Sequence, residues 1–158
     1  MNGSRRWRLG SLGIAALVLM LDQSSKAWAQ ASLLMGTSRG WLPGLIDLQL
    51  VYNRGAAFSL FTGATQVLAL ISAGVAFGLV VWILRLRHGR ILQLVAAGLL
   101  LGGTLGNGLD RWRLGAVVDF LALVPIRFPV FNVADVAINL AVVVFALDLL
   151  RQHGSSDA

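Results

Sequence analysis

The chain lacks cysteine and glutamate altogether, and it has only two histidines in 158 residues. Without cysteine there are no disulfides, thiolate nucleophiles or cysteine-ligated metals. A zinc site draws on several His, Cys or Glu ligands, which this chain cannot assemble. The glycine-rich loop with lysine that cradles phosphates in many nucleotide-binding proteins is also absent. We therefore expect neither a metal nor a cofactor.

Charged residues are also scarce, at 13%, whereas 57% of the residues are hydrophobic and the mean hydropathy is +0.77. A soluble domain is about one quarter charged, so this composition predicts a membrane protein, and its length predicts one domain. The net charge of +6 is compatible with nucleic-acid binding. However, the arginines flank apolar stretches instead of forming a surface stripe, so we expect no nucleic-acid partner.

Apolar stretches of about 20 residues can cross the hydrocarbon core of a bilayer as helices. Four such stretches cover about 9–29, 64–84, 91–109 and 132–150. We therefore predict an all-α integral membrane protein, with four transmembrane helices in a single domain of residues 1–158. Between these stretches lie segments of about 30–63 and 110–131. The alternation of apolar and polar residues in Ile46–Leu50 predicts a small β element there.

Arginines concentrate at one end of the predicted helices. Three precede the first helix and three occupy the loop between the second and third: Arg5, Arg6, Arg8, Arg85, Arg87 and Arg90. By the positive-inside rule this concentration predicts that both termini are cytoplasmic and that segments 30–63 and 110–131 are extracytoplasmic. A cleavable signal peptide is the alternative interpretation of the first stretch, but residues 22–26 have another use, described below.

Glycines recur at four-residue spacing inside the predicted helices. Gly98, Gly102 and Gly106 form one series, and Gly74 with Gly78 forms another. Small residues at this spacing let helix backbones approach closely in a membrane, so both series predict helix packing.

All seven acidic residues are aspartates, and five of them fall at or beyond the outer ends of the predicted helices. These are Asp22, Asp47, Asp110, Asp119 and Asp135. Ionisable groups at membrane depth are costly and are functional candidates by default, although their cost falls near the interface. Both histidines lie at the predicted cytoplasmic ends, too far from the outer serines to activate one as a nucleophile. The carboxyl groups of the aspartates therefore remain as the candidate catalytic groups.

Local structure offers another explanation for some of these residues. Asp22 and Lys26 are four residues apart, which suits an ion pair on one helix face. Asp110 beside Arg111 could form a structural ion pair. Each residue can serve either function, and the sequence leaves both open.

Asn132 and Asp135 are spaced as a helix N-cap and an acidic third residue of the following helix. Taken alone, this pair is more typical of a cap than of a catalytic group. Asp119 is harder to explain structurally, because it lies in an apolar run with no local partner. Two neighbouring carboxylates cannot both ionise easily, and such a pair can activate water against a peptide carbonyl. They titrate together, so neither has a fixed role.

Four sequence blocks resemble the motifs of the lipoprotein signal peptidases, in that family's order and spacing. They are residues 22–26 (DQSSK), 53–59 (NRGAAFS), 102–120 (GGTLGNGLDRWRLGAVVDF) and 131–135 (FNVAD). Any one block is weakly specific, whereas the set is highly specific and spans nearly the whole chain. Thr104 and Gly108 depart from the usual pattern without touching the proposed chemistry.

The resemblance implies that Asp119 and Asp135 are the catalytic aspartates of an aspartyl endopeptidase. It further implies that Asn53, Asn107, Arg111 and Asn132 position the substrate backbone or support the pair, that Asp22 and Lys26 lie near the site, and that Asp110 orients Arg111. Segment 55–58 would border the site. The implied substrates are prolipoproteins, cut just before a cysteine that carries diacylglycerol. The implied setting is the bacterial inner membrane, with the site at its extracytoplasmic face, and we expect a monomer.

Three other functions remain open. A proton-coupled transporter could use the aspartates as a relay, but such sites lie near the bilayer midplane, often between inverted repeats, and this chain has no internal repeat. An intramembrane protease for non-lipidated helices would give Asn53 and Asn132 no role. A non-enzymatic assembly factor would tolerate Asp119→Asn.

Overall fold

The computed structural model describes residues 3–55, 64–86 and 89–156. Helices and strands follow in the order α1 (Gly3–Ser32), β1 (Arg39–Leu42), β2 (Ile46–Asn53), α2 (Thr65–Arg85), α3 (Ile91–Leu114), β3 (Val117–Leu123) and α4 (Val133–Ser156). The protein is therefore mostly helical with one small sheet, as predicted. His88 and the predicted site-bordering residues 56–58 lie outside the described residues.

Three of these helices are long and apolar enough to cross a membrane among the described residues: α2, α3 and α4 over Val133–Gln152. Helix α1 has 30 residues, but the polar residues 22–26 interrupt its apolar character. It begins earlier and ends later than predicted, because a helix continues where its side chains become polar. For the same reason α3 continues past the predicted end at residue 109 to Leu114. Gly115 ends it in the left-handed conformation, with φ 68°.

Helix α3 is the centre of the bundle, since it packs against each of the other three helices. Its apolar stretch is 56% buried, compared with 17% in α2 and 22% in α4. Added Cβ atoms at Gly98 and Gly102 would lie 2.7 and 2.6 Å from Cβ atoms of Ile14 and Val18 on α1. The predicted close packing is confirmed there. It is wrong for Gly74 and Gly78 on α2, which have nothing within 4 Å.

The three strands form an antiparallel sheet in the order β1-β2-β3. The predicted strand at Ile46–Leu50 is confirmed, whereas the strand β3 in segment 110–131 was not specifically predicted. Buried Leu48 and Leu50 of β2 pack with Val118 and Phe120 of β3 against the end of α1 at Ala29. The sheet therefore covers one end of the bundle and fixes β3 beside α1.

At the opposite end of the bundle, an ion pair joins α3 to α4. Arg90, which precedes α3, donates from Nη2 to Oδ2 of Asp148 at 2.6 Å. Asp148 is buried and Arg90 is about half exposed. Asp148 therefore lies at the opposite end of the bundle from Asp119 and Asp135, and its separation from them agrees with the prediction.

Candidate active site

Two aspartates on different elements line one cavity of about 510 Å³ at the sheet end of the bundle. Asp119 lies in β3 and is 2% exposed, and Asp135 lies in the first turn of α4. Val117 pairs with Asn53 on the neighbouring strand β2. Since alternate residues of a strand share a face, Asn53 and Asp119 are diagonal neighbours. Asn53 accordingly donates from Nδ2 to Oδ2 of Asp119 at 3.1 Å.

Asn132 joins the two aspartates. Its Oδ1 accepts from the backbone N–H of Asp135 at 2.9 Å, and its own backbone N–H donates to Oδ2 of Asp135 at 3.2 Å. These reciprocal bonds confirm the predicted helix cap. The remaining end of the same side chain donates from Nδ2 to Oδ1 of Asp119 at 2.6 Å. The helix cap and the contact with Asp119 are therefore compatible, because one asparagine makes both.

Asn107 and Arg111, one turn apart on α3, also line the cavity. Asn107 donates from Nδ2 to Oδ1 of Asp135 at 2.8 Å. Arg111 donates from Nη2 to the carbonyl of Gly55 at 3.2 Å, which ties α3 to the end of β2. The expected pairing of Asp110 with Arg111 is wrong, since no ion pair between them occurs among the described residues. Adjacent residues of a helix do not face each other.

Asp110 instead belongs to a buried cluster around Lys26. The Lys26 ammonium lies 2.8 Å from Oδ2 of Asp22 and 2.9 Å from Oδ2 of Asp110. The predicted Asp22–Lys26 ion pair is thereby confirmed, and both its members are almost fully buried. Gln23, which the sequence analysis did not select, donates from Nε2 to Oδ1 of Asp110 at 2.9 Å. Its position inside the polar block 22–26 was the only signal.

Asp47 does not join this group, although it belonged to the predicted cluster of five. It accepts a hydrogen bond from Ser38 at 2.9 Å at the β1–β2 hairpin, and it does not line the cavity. Sequence position placed it at the correct end of the bundle, but it lies near the start of β2, whereas Asn53 at the other end of that strand lines the cavity.

Burial controls the protonation of Asp119. Burial, followed by the neighbouring negative charge of Asp135, raises the pKa of this carboxyl to about 7, against the opposing hydrogen bonds from Asn53 and Asn132 and the positive charge of Lys26. Near neutral pH this carboxyl is therefore present in both protonation states. The site can hold one proton and one negative charge.

The rest of the cavity wall is mainly apolar, and its residues were not predicted from sequence. They are Val117, Phe128, Pro129, Val130, Phe131, Val136, Ile138, Leu140 and Val143, with the polar Asn139. Val136, Leu140 and Val143 recur along one face of α4 at helical spacing, which carries the apolar wall away from the aspartates and along the helix. The cavity is therefore polar near the two aspartates and apolar along α4.

No group of three or more potential metal-ligating His, Cys, Asp or Glu residues lies together in the part of the chain that the structure describes. What the arrangement provides is two carboxyl groups, amide donors on each, and the guanidinium of Arg111 at the cavity wall. Together with the apolar helices, this defines a membrane protein with an aspartate-pair site at one end of a helical bundle.

Comparison with known proteins narrows this class to a family. Residues 14–151 match the family described as Signal peptidase (SPase) II. The chain is 54% identical over 156 residues to the lipoprotein signal peptidase of Parasynechococcus marenigrum, covering 99% of this chain and 98% of that protein. It is 44% identical to the lipoprotein signal peptidase of Pseudomonas aeruginosa over 96% of this chain and 94% of that protein. The chain belongs to the signal peptidase II family, and it is a membrane peptidase.

The fold agrees with that assignment. A bacterial membrane enzyme solved by the in meso method superposes with a TM-score of 0.85 at 28% identity, covering 92% of this chain and 90% of that one. A second structure with the same description gives 0.80 at 30% identity over 89% of this chain and 92% of that one. The bundle and sheet described here are therefore a fold known among membrane enzymes.

Proposed function

We propose that this protein is an aspartyl endopeptidase that removes signal peptides from prolipoproteins, with Asp119 and Asp135 as its catalytic residues. Cleavage occurs just before the diacylglyceryl-modified cysteine. The family assignment supports the reaction and the substrate class. The observation that carries the catalytic assignment is that these two aspartates line the same cavity while three asparagines hold their carboxyl oxygens.

In the proposed reaction the two aspartates share one proton, so that one carboxyl group is ionised and the other is protonated. The ionised carboxylate takes a proton from a water molecule as its oxygen attacks the scissile carbonyl, while the protonated carboxyl hydrogen-bonds the carbonyl oxygen. The tetrahedral intermediate then collapses, the C–N bond breaks, and the leaving amine receives a proton from the pair. The two groups exchange roles within the cycle, so neither is permanently the acid.

The substrate would lie along the cavity in a direction set by polarity. Arg111 and Asn53 at the polar end can contact the peptide backbone next to the aspartates. Val136, Leu140 and Val143 along α4 offer an apolar surface to the signal peptide or to the acyl chains of the modified cysteine. A substrate anchored by lipid can therefore reach the aspartates without leaving the membrane interface.

We further propose that the chain forms a single domain with α1 as the fourth transmembrane helix and that it acts as a monomer. Thirty residues of helix measure about 45 Å, more than the hydrocarbon thickness. Leu9, Leu17 and Leu21 are exposed along α1, as lipid-facing residues would be.

The arginine-rich end would be cytoplasmic, and the sheet and aspartates would be at the extracytoplasmic face of the inner membrane. Exposed Trp28, like Trp41 and Trp112, suits the outer interface.

A gel-shift assay in detergent tests the proposal directly. Purified protein is incubated with a prolipoprotein, either diacylglyceryl-modified or unmodified. Wild type, Asp119→Asn and Asp135→Asn are compared with Asp148→Asn, a matched control that replaces another buried aspartate of α4 at the far end. We expect cleavage of the lipidated substrate alone, by wild type and the control alone.

Turnover by either Asp119→Asn or Asp135→Asn would refute the catalytic pair. Loss of activity in folded Asp148→Asn would refute the location of the site at the sheet end of the bundle. Absence of cleavage by folded wild type would refute the peptidase assignment. The transporter function has no support, because the family is one of peptidases and because four of the aspartates lie together at one end of the bundle. These four are Asp22, Asp110, Asp119 and Asp135.

A further inference from the structure

Lys26 is a buried cation that lies next to the cavity without lining it. Its side chain is 2% exposed, and its ammonium group contacts three acceptors. Two are the carboxylates of Asp22 and Asp110, and the third is Oδ1 of Asn107 at 2.9 Å. A lysine ammonium has three hydrogens to donate, so all of its donors are used. Its ion pairs within the described residues include neither Asp119 nor Asp135.

We propose that Lys26 is a positioning residue for the reaction, because it fixes the orientation of the Asn107 carboxamide and thereby the rotation of the Asp135 carboxyl group. This inference rests on the proposed function, since it assigns a cause to the geometry of one member of the catalytic pair. Among the described residues, Lys26 makes no hydrogen bond or ion pair to either aspartate of the pair.

The orientation of Asn107 follows from the chemistry of its neighbours. A carboxamide has an accepting oxygen at one end and a donating NH2 group at the other, whereas an ammonium group can only donate. Lys26 therefore requires the oxygen of Asn107, and Nδ2 of Asn132 also donates to that oxygen at 3.1 Å. The flipped carboxamide would set an NH2 group against both donors. Only one orientation of Asn107 is compatible with Lys26.

The fixed carboxamide in turn holds Asp135. Its Nδ2 donates to Oδ1 of Asp135 at 2.8 Å, while the backbone N–H of Asn132 donates to Oδ2 at 3.2 Å. With both oxygens occupied, the carboxyl group cannot rotate without breaking a hydrogen bond. Catalytic groups gain rate from being held in the reactive geometry before the substrate arrives.

Lys26 itself is held by groups that are attached to the elements carrying the pair. Oδ1 of Asp22 accepts from the backbone N–H of Ala134 in α4 at 2.9 Å, and Oδ2 of Asp110 accepts from that of Val118 in β3 at 3.1 Å. Gly106 allows this approach, because a Cβ there would collide with Oδ2 of Asp22. The cluster thus connects α1 to the residues that immediately precede both catalytic aspartates.

The alternative is that Lys26 only neutralises two buried carboxylates. The two roles differ in what they predict for kinetics. A structural residue supports folding, so its loss lowers the amount of folded enzyme and leaves the folded fraction catalytically normal. A positioning residue that does not touch substrate lowers kcat with little change in KM.

The experiment compares Lys26→Met with the double variant Lys26→Met/Asp110→Asn. The single substitution leaves two buried carboxylates without their cation, which destabilises proteins strongly. The double variant removes one positive and one negative charge and keeps the net charge of the cluster. Asp110→Asn alone is its control. Cleavage of the lipidated prolipoprotein is measured under conditions that separate kcat from KM, with thermal unfolding measured on the same samples.

We expect the folded double variant to lose about 10- to 100-fold in kcat relative to Asp110→Asn, with KM unchanged within about twofold. In an Asn107→Ala background, adding Lys26→Met to Asp110→Asn should cost little more in kcat, because the residue through which Lys26 acts is gone. A folded double variant with the kcat of Asp110→Asn would overturn the proposal. So would an equal loss of kcat when Lys26→Met is added to Asp110→Asn with and without Asn107. Failure of the peptidase assignment itself would be distinct, since wild type would then not cleave.

Discussion

Burial of Asp119 makes the stability of this protein depend on pH in a direction that can be calculated. The carboxyl is 2% exposed, and burial, followed by the charge of Asp135, raises its pKa from the ordinary value of 3.8 to about 7. In the unfolded chain the group ionises near pH 4. Between these two values the folded state binds the proton that the unfolded state has released. The stabilisation is complete below about pH 4 and is lost as the pH rises through about 7.

The full pKa difference from 3.8 to about 7 corresponds to about 4 kcal/mol, of which about 2 to 3 kcal/mol falls between pH 5 and pH 8. Asp119→Asn removes this titration. The carboxamide adds a constant penalty, since its NH2 group must face a donor of Asn53 or Asn132. That penalty does not vary with pH. Wild type should therefore lose stability relative to the variant by about 2 to 3 kcal/mol from pH 5 to pH 8.

The assay is unfolding of both proteins in mixed detergent micelles at pH 5 and pH 8, with the free energy of unfolding taken from each titration. Gly74→Ala, which changes no ionisable group and adds a methyl where nothing lies within 4 Å, reports any general effect of pH. An equal difference between wild type and Asp119→Asn at the two pH values would refute the reasoning. The site would then not hold a proton on Asp119.

Three further predictions concern packing, the far end of the bundle and orientation. Gly102→Ala should lower the free energy of unfolding by about 1 to 3 kcal/mol through overpacking against α1, whereas Gly74→Ala should change it little; equal effects would contradict the packing. Asp148→Asn should destabilise the protein by a comparable amount yet cleave the lipidated substrate normally, which unfolding and gel-shift assays can check. Because the chain has no cysteine, Leu45→Cys and Arg151→Cys can be labelled singly in intact spheroplasts. A membrane-impermeant maleimide should label only the first, and the reverse result would invert the proposed topology.

Most residues of the candidate site could be predicted from the sequence, because they occur in blocks whose spacing is specific. The cap formed by Asn132 and Asp135 and the ion pair of Asp22 with Lys26 depend on residues within one helical turn, so spacing alone predicts them. Both are confirmed. That Asp135 shares a cavity with Asp119, and that Lys26 contacts Asn107, could not be deduced locally, since each of these relations joins residues of different elements.

Where the sequence interpretation was wrong, the deciding contact was distant. Asp110 lies next to Arg111 in the chain but pairs with Lys26, which is 84 positions away, because α1 and α3 pack together. Asp47 shares the end of the bundle with the other aspartates but not the cavity. The glycine spacing of Gly74 and Gly78 matches that of Gly98 and Gly102, yet only the latter two contact a neighbouring helix.

Composition and periodicity by themselves determined the membrane class, the presence of four long helices, a small β element and the residue types available to the site. These properties depend on the free energy of transferring side chains from water and on contacts within a few residues. The tertiary structure alone decided that Asn53, Asn107 and Asn132 converge on two aspartates and that Lys26 contacts one of those asparagines. Such convergence depends on how four helices and a sheet pack, and packing is a property of surfaces that no single segment contains.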